Sequence, residues 1–268
     1  MVMIKWNEML MPYEQAVEEL KIKFKSIRKE YRKIDEYSPI EFVTGRVKKI
    51  SSIIDKAAKR NISLDMVQEE IEDIAGIRIM CQFTEDIYRV IELIRNRDKK
   101  DLFIVEERNY LGKIKESGYR SYHIIIRYPV HTVFGERRVL AEIQIRTLAM
   151  NFWATIEHSL NYKFEYQIPQ TIKDRLKNAA EAAYNLDKEM SEIREEIVDA
   201  QEVFQAKSNV IEKIAKNIQK LSILGNKDCV DLQNKFLILQ KEGNYNKLKD
   251  FNNKLELRLD KRNNYYKP

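Results

Sequence analysis

A regular apolar repeat in the second half of the chain constrains its fold more than any other feature. From Ile172 to Phe204, apolar side chains follow one another in alternating steps of four and three residues. The repeat consists of Ile172, Leu176, Ala179, Ala183, Leu186, Met190, Ile193, Ile197, Ala200 and Phe204. Sustained 3.5-residue spacing is typical of a long helix packed along a partner helix, in the same chain or in another subunit. After a lapse at Lys207 the frame continues through Ile211, Ile214, Ile218 and Leu221, and Gly225 is the predicted stop.

The rest of the chain divides into segments with other periods. One helical face of apolar residues spans 13–35. Short stretches rich in Ile and Val that alternate in polarity predict five strands, at 41–48, 74–82, 102–108, 120–128 and 138–146. Helical stretches at 52–60 and 85–96 lie between them, which indicates a mixed sheet in an α/β or α+β layer. Residues 228–268 are expected to form two short helices divided at 241–244.

Composition excludes several classes of protein. The chain has only 7 glycines and 5 prolines among 268 residues, against about 32 for average usage, which excludes collagen-like and many-turned all-β folds. No apolar run approaches the roughly 20 residues needed to cross a bilayer, and the N-terminus does not resemble a secretory signal. Cys81 and Cys229 form no disulfide framework, so we expect a cytoplasmic protein without a membrane partner. The net charge of +6 suits a polyanionic partner, either nucleotide or nucleic acid.

Two of the predicted strands carry unusual polar side chains on one face. Because alternate strand residues share a face, one side presents Tyr119, Ser121 and His123 from the first strand and Arg138, Glu142, Gln144 and Arg146 from the second. The opposite sides are aliphatic and read as core. A plainly solvated face is the alternative interpretation, but such a face prefers Lys, Glu and Thr.

A basic segment precedes these strands. Residues 45–60 carry six basic side chains against Asp55 alone, and Arg46 and Lys48 point the same way from an extended stretch. Ser52 and Asp55 predict a helix start of the S-x-x-D kind. One face of that helix would carry Ser52, Lys56 and Arg60. A generic basic helix is one interpretation; a phosphate site at the helix N-terminus is the other.

Acidic and aromatic residues complete the candidate site. Asp73 comes just before an apolar strand, where carboxylates are often only turn residues. Together with Glu142 from another strand, however, it would form a minimal Mg²⁺ platform for a nucleoside triphosphate. Further along, three cations come shortly before Tyr119 in the sequence, and an aromatic ring beside cations suits a nucleotide base and its phosphates. These cations are Arg108, Lys113 and Lys115.

Five of these motifs occur together in one order. They are Thr44-Gly45-Arg46-Val47-Lys48, then Ser52 with Lys56, then Asp73-Ile74-Ala75-Gly76-Ile77-Arg78, then Gly118-Tyr119-Arg120-Ser121-Tyr122-His123, and finally Glu142-Ile143-Gln144-Ile145-Arg146-Thr147. The set closely resembles the synthetase domain of the RelA/SpoT proteins over about residues 15 to 200. Without a hydrolase or regulatory domain, the chain is similar to the stand-alone small alarmone synthetases, nearest the RelQ type.

The resemblance implies a fold and an activity. The fold is α+β, a nucleotidyltransferase-like mixed sheet flanked by helices, with a long helical C-terminal extension. Its expected segments are an N-terminal helical segment, a catalytic core, a long packing helix and a short tail of unknown role, at 1–40, 41–165, 166–225 and 226–268. The implied enzyme is a (p)ppGpp synthetase of the stringent response. It transfers the pyrophosphoryl group of ATP to the 3′-hydroxyl of GDP or GTP and releases AMP.

The resemblance also implies residue roles. Arg46 and Arg78 would hold the adenine of ATP, and Ser52 would join Lys48 and Lys56 near its phosphates. Asp73 and Glu142 would bind the Mg²⁺ cofactor, with Glu142 also helping to deprotonate the 3′-hydroxyl. The guanine nucleotide would be bound by Arg108, Lys115, Tyr119, His123 and Gln144, with Tyr119 stacking on the base.

Assembly and acceptor choice are the remaining implications. RelQ-type enzymes are homotetramers, and some bind (p)ppGpp in a central cleft, whose lining Lys25, Phe42 and Thr44 resemble. Glu116 and Ser117 depart from the family's usual Asn-containing run, which leaves GDP, GTP and GMP open as acceptors. The alternative function is a catalytically silent synthetase-fold module that binds RNA or guanine nucleotides. The presence of both Asp73 and Glu142 favours the enzyme, because an RNA groove would prefer neither.

Overall fold

A computed structural model of the chain describes residues 5–113, 115–133, 135–163, 168–224 and 228–265, with side chains described for all of these except 161–163 and 261–265. The predicted helix stop at Gly225 and the predicted segment boundary at 165–166 lie outside these ranges. Among the helices described, none combines the length and apolar content needed to span a membrane.

Five strands form one mixed sheet. They are Phe42–Val47 (β1), Ala75–Cys81 (β2), Phe103–Asn109 (β3), Tyr122–Thr132 (β4) and Gly135–Thr147 (β5). Their order across the sheet is β1-β2-β5-β4-β3, with β2 and β5 parallel and the other neighbours antiparallel. This arrangement confirms the predicted α+β class with a mixed sheet.

β4 and β5 are longer than predicted. They pair as a hairpin from Tyr122 opposite Ile145 to Thr132 opposite Gly135. The sequence pattern missed the outer half because Pro129 and the charged run 136–138 interrupt the alternation of apolar and polar residues.

The helices of the N-terminal part of the chain cover the sheet. They are Trp6–Lys33 (α1), Ile50–Arg60 (α2), Val67–Glu70 (α3, after a 3-10 turn at Leu64–Met66), Thr84–Arg95 (α4) and Leu148–Lys163 (α5). α1 begins about two turns before the predicted 13–35 segment, since Leu10 and Tyr13 are buried and extend its apolar stripe. Leu20 and Phe24 of α1 are completely buried in the main core.

The long helix predicted by the apolar repeat is present. Helix α6 comprises Gln170–Ile223 and is 54 residues long. It is followed by two shorter helices, Cys229–Glu242 (α7) and Tyr245–Tyr265 (α8). The chain forms two compact units, residues 1–191 and 192–268. Within the second unit, one cluster joins α6 to α7 and α8, and its members are Ile214, Ile218, Leu221, Leu232, Leu248, Phe251, Leu255 and Leu259. The C-terminal end of the apolar repeat therefore packs against α7 and α8 of the same chain.

The middle of the repeat is not covered in this way. Leu186, Met190, Ile197 and Phe204 are between 45% and 72% exposed. The buried positions of α6 in this region are instead small or polar, namely Ala180, Asp187 and Ser191. The assignment of catalysis to 41–165 and of packing to 166–225 stays a prediction.

Candidate active site

One row of polar side chains crosses the whole sheet. Thr44 on β1 lies opposite Arg78 on β2, and Arg78 lies opposite Gln144 on β5. Gln144 in turn lies opposite His123 on β4, which lies opposite Arg108 on β3. Cross-strand partners share a face of the sheet. The polar face predicted from strand parity is therefore present, and it extends over all five strands.

A second row on the same face, two residues along each strand, contains Glu142. Arg46 lies opposite Gly76, and Gly76 lies opposite Glu142. Gly76 has no side chain to fill the space between them, and an added Cβ there would find only the Arg46 carbonyl oxygen nearby, at 3.7 Å. A cavity of about 260 Å³ opens here, lined by Thr44, Gly45, Arg46, Asp73, Gly76, Arg78, Glu142 and Gln144.

Asp73 holds two lysines at one side of this cavity. Lys48 Nζ donates to Asp73 Oδ2 at 2.9 Å, and Lys56 Nζ donates to Oδ1 at 2.8 Å. Burial raises the pKa of Asp73, but the hydrogen bonds from Lys56 and Lys48 outweigh burial, and the net pKa is lowered. The three groups thus form a cationic site with one internal counterion.

The helix that carries Lys56 starts earlier than predicted. α2 begins at Ile50, with extended Lys49 before it and no side-chain cap. The predicted start at Ser52 was therefore wrong, and Ser52 lies within the first turn. Ile53 and Ala57 are buried and fix this helix against the core, which places Lys56 toward Asp73.

Glu142 is buried and held by two neighbours. His123 Nδ1 lies 2.8 Å from Glu142 Oε1, and Gln144 Nε2 donates to Oε2 at 2.7 Å. Burial raises the pKa of Glu142, but the hydrogen bond and charge of His123, followed by the Gln144 hydrogen bond, lower it below its usual range. Glu142 is accordingly a carboxylate at neutral pH.

Guanidinium groups are crowded beside the carboxylates. Arg78 Nε donates to Gln144 Oε1 at 3.3 Å, and Arg146 donates to the same oxygen. Burial, Arg146 and Arg46, in that order, lower the pKa of Arg78. Cations that disfavour one another's charge are expected where an anionic ligand binds.

An aromatic cluster lies at the β4 side. The Tyr119 hydroxyl is 2.8 Å from His123 Nε2 and accepts from Arg146 at 3.0 Å. Tyr110 meets both the Tyr119 and His123 rings edge-on, and Lys115 Nζ lies 4.5 Å and 5.0 Å from the centroids of Tyr110 and Tyr119. Sequence reasoning missed Tyr110. The available signal was an aromatic residue at the end of a strand, immediately before Lys113 and Lys115.

Of the remaining predicted residues, Thr44 lines the cavity, whereas Arg108, Phe42 and Lys25 are not among its lining residues. Arg108 forms a bidentate ion pair with Glu72, at 2.7 and 2.8 Å, and also binds Glu106. Thr44 lines the cavity and Phe42 is 38% exposed on the same strand. Lys25 is exposed on α1, the helix that packs against Gly45 on the opposite face of the sheet.

The residues present fit a metal ion that arrives with a nucleotide. In the described part of the chain no cluster of three or more His, Cys, Asp or Glu side chains could hold a metal alone. Asp73 and Glu142 nevertheless line one cavity with oxygen donors. Mg²⁺ is commonly bound by one or two carboxylates plus substrate phosphates, so this pair fits Mg²⁺.

Comparisons with known proteins identify relatives of this chain. The profile described as "Region found in RelA / SpoT proteins" matches residues 45–167. The GTP pyrophosphokinase YjbM of Bacillus subtilis is 57% identical over 203 residues, covering 76% of this chain and 95% of that protein. The structure of small alarmone synthetase 1 from B. subtilis bound to its product pppGpp has a TM-score of 0.69 and 57% identity, covering 72% of this chain and 98% of that one. The same enzyme bound to AMPCPP has a TM-score of 0.64 at 53% identity, with 73% and 98% covered.

Proposed function

Since the chain belongs to the RelA/SpoT family, we propose that its cavity is the active site of a GTP pyrophosphokinase that makes (p)ppGpp. The pyrophosphoryl group of ATP is transferred to the 3′-hydroxyl of a guanine nucleotide, and AMP leaves. One observation carries the proposal: Asp73, Glu142 and the guanidinium groups of Arg46 and Arg78 line the same cavity on one face of the sheet.

ATP binds at the β1–β2 side of the cavity. Arg46 and Arg78 hold the adenine, and Lys48 and Lys56 hold the phosphates. Both lysines are already paired with Asp73, so the arriving phosphates replace the carboxylate as their partner. This exchange frees the oxygens of Asp73, which would then be available to hold Mg²⁺.

Asp73 and Glu142 would hold Mg²⁺, which would neutralise part of the phosphate charge. The chain's own cations supply the rest, because phosphoryl transfer is catalysed chiefly by positioning and by electrostatic stabilisation. Ser52, in the first turn of α2, contributes to the phosphate side.

Glu142 accepts the proton of the acceptor's 3′-hydroxyl. Its carboxylate is ionised, and His123 and Gln144 hold one oxygen each. Each carboxylate oxygen has two lone pairs, so both can accept a further hydrogen bond. The 3′-oxygen then attacks the β-phosphorus of ATP, the bond to the AMP oxygen breaks, and the proton remains on Glu142.

The guanine nucleotide binds at the β4 side. Tyr119 stacks on the base, while Lys115 and His123 lie near the phosphates and Gln144 lies between the two nucleotides. Arg108 takes part only after leaving Glu72, with which it is paired in the free enzyme.

An assay with each acceptor tests the function directly. Incubation with ATP, Mg²⁺ and GDP, GTP or GMP in turn should give AMP and a 3′-pyrophosphorylated product, separated by anion-exchange chromatography. The ranking of the three acceptors gives the preference of this chain. Absence of AMP and of product with every acceptor would contradict the proposal.

Tyr119→Ala should raise the KM for the guanine nucleotide by roughly 10- to 100-fold, because base–aromatic stacking contributes about 1–3 kcal/mol. The KM for ATP should stay within about twofold. Tyr119→Phe keeps the ring and removes the hydroxyl that contacts His123 and Arg146, so it distinguishes the contribution of the ring from that of the hydroxyl. Tyr88→Ala, at a half-exposed tyrosine of α4, is the matched control. Equal increases in both KM values would remove the stacking role from Tyr119.

We propose in addition that the enzyme is a cytoplasmic homotetramer. The exposed apolar residues of α6 in the first unit, among them Leu186 and Met190, supply a surface that a second copy can cover. Sedimentation equilibrium should give four times the chain mass of 32.0 kDa, and a monomer at micromolar concentration would contradict this. Binding of (p)ppGpp near Lys25, Phe42 and Thr44 is the corresponding proposal for allostery.

A further inference from the structure

We propose that Arg120 is a positioning residue for the acceptor nucleotide, which fixes the loop bearing Tyr119 to helix α6. The inference deepens the proposed function, since it concerns the acceptor side of the same site. Arg120 does not line the cavity; it acts through the backbone on either side of Tyr119.

The guanidinium of Arg120 bridges the loop and the helix. Nη1 donates to the carbonyl oxygens of Gly118 at 3.2 Å and Ala180 at 3.4 Å, and Nη2 donates to Glu181 at 2.6 Å. Its centre also lies 4.5 Å from the ring centroid of Tyr184. One side chain therefore contacts three residues of α6 and the residue before Tyr119.

Gly118 provides a second, independent attachment. Its φ of +85° lies in the region that favours glycine. An added Cβ would lie only 2.6 Å from the Cβ of Ala180. The loop thus touches α6 at backbone level immediately before Tyr119, while Arg120 holds it immediately after.

The helix surface that receives the loop is itself anchored. Trp153 Nε1 donates to the Leu176 carbonyl oxygen at 2.8 Å, and Thr147, at the end of the strand carrying Glu142, donates to Asp187 at 2.6 Å. Leu176, Ala180 and Asp187 lie on one face of α6, because they are spaced four and seven residues apart, which is one and two helical turns. The Tyr119 loop therefore rests on a segment whose position is tied to the catalytic strand.

The burial of Arg120 points to positioning rather than to stability. Only 5% of its side chain is exposed, against 57% for Glu181, and its Nε is buried without a hydrogen-bond partner among the described residues. A buried charge with an unmet donor costs free energy, and a buried ion pair is weak evidence of a contribution to stability. What Arg120 supplies that an apolar residue cannot is a rigid fork joining several acceptors.

Two variants test this role: the single variant Arg120→Met and the double variant Arg120→Met/Tyr119→Ala. For each, the KM for ATP and the KM for the best acceptor are measured. Arg120→Met should raise the acceptor KM about tenfold and leave the ATP KM within about twofold, since small misplacements of binding groups have effects of this size. Because Arg120 acts through Tyr119, the double variant should have the same acceptor KM as Tyr119→Ala alone. Arg127→Met, at an exposed ion pair on β4, should change neither.

Glu181→Ala removes the other partner of the same ion pair. Because Glu181 is exposed on α6, we expect this variant to fold normally. It should raise the acceptor KM about threefold without changing the ATP KM. Equal effects on both substrates, an unchanged acceptor KM, or additive effects in the double variant would overturn the role of Arg120 while wild-type synthesis still stands. Lack of product from the wild type would instead overturn the proposed function itself.

Discussion

Glu142→Gln should lower turnover by about a thousandfold and leave ATP binding within about threefold of wild type. The amide keeps the size of the side chain but cannot accept the 3′-hydroxyl proton, and general-base groups typically contribute 10²–10⁴-fold. It also removes one of the two charges that would face Mg²⁺. Because ATP is held mainly by Lys48, Lys56 and the arginines, its affinity should change little.

The measurement pairs single-turnover product formation with ATP affinity by calorimetry. Glu136→Gln is the matched control, since Glu136 is on the same strand but exposed, and it forms an ion pair with Arg138. It should behave as wild type. Substantial residual turnover combined with weakened ATP binding would show that Glu142 serves the donor nucleotide and not the acceptor's proton.

Asp73→Asn should have opposite effects on metal-free ATP binding and on turnover. Without the carboxylate, Lys48 and Lys56 lose the counterion that competes with phosphate, so metal-free ATP should bind a few-fold more tightly. Turnover at millimolar Mg²⁺ should fall by roughly a hundredfold or more, and the Mg²⁺ concentration for half-maximal rate should rise, because one of two metal-binding carboxylates is lost.

Titration of ATP with and without Mg²⁺, followed by a Mg²⁺ titration of the rate, measures both effects. Asp55→Asn, at an exposed position of α2, is the control for removing one negative charge from the same region. If Asp73→Asn weakened metal-free ATP binding and kept the wild-type Mg²⁺ requirement, Asp73 would be a structural partner of the lysines and no metal ligand.

The polar face of the site could be predicted from sequence because strand alternation is a local rule. Residues two apart on a strand share a face whatever the rest of the chain does, so Glu142 and Gln144 could be placed on one face. Tyr119 precedes β4 and meets His123 from a loop, which strand alternation does not predict. The long helix was also predictable, since its period repeats over many turns. The family motifs then gave the function.

Other features depend on how distant segments meet. Strand register and loop placement determine three of these contacts. They are the ion pair of Arg108 with Glu72, the ion pairs of Lys48 and Lys56 with Asp73, and the edge-on ring contacts of Tyr110. The start of α2 was wrong because a capping pattern is a weak signal beside the packing of Ile53 and Ala57. The buried face of α6, with Ala180 and Asp187, was hidden because small and polar residues give no hydrophobic period.

The polar row from Thr44 to Arg108 has a consequence for the geometry of the reaction. Arg46 and Arg78, assigned to the adenine, are on β1 and β2. Tyr119 and His123, assigned to the acceptor, lie before and on β4, and β5 with Glu142 lies between β2 and β4. Neighbouring strands lie about 4.8 Å apart, so β2 and β4 are about 10 Å apart, held by backbone hydrogen bonds. Under the proposed assignment, the spacing between the donor and acceptor nucleotides is therefore set by the sheet itself, and we expect the reaction to proceed without closure of two domains.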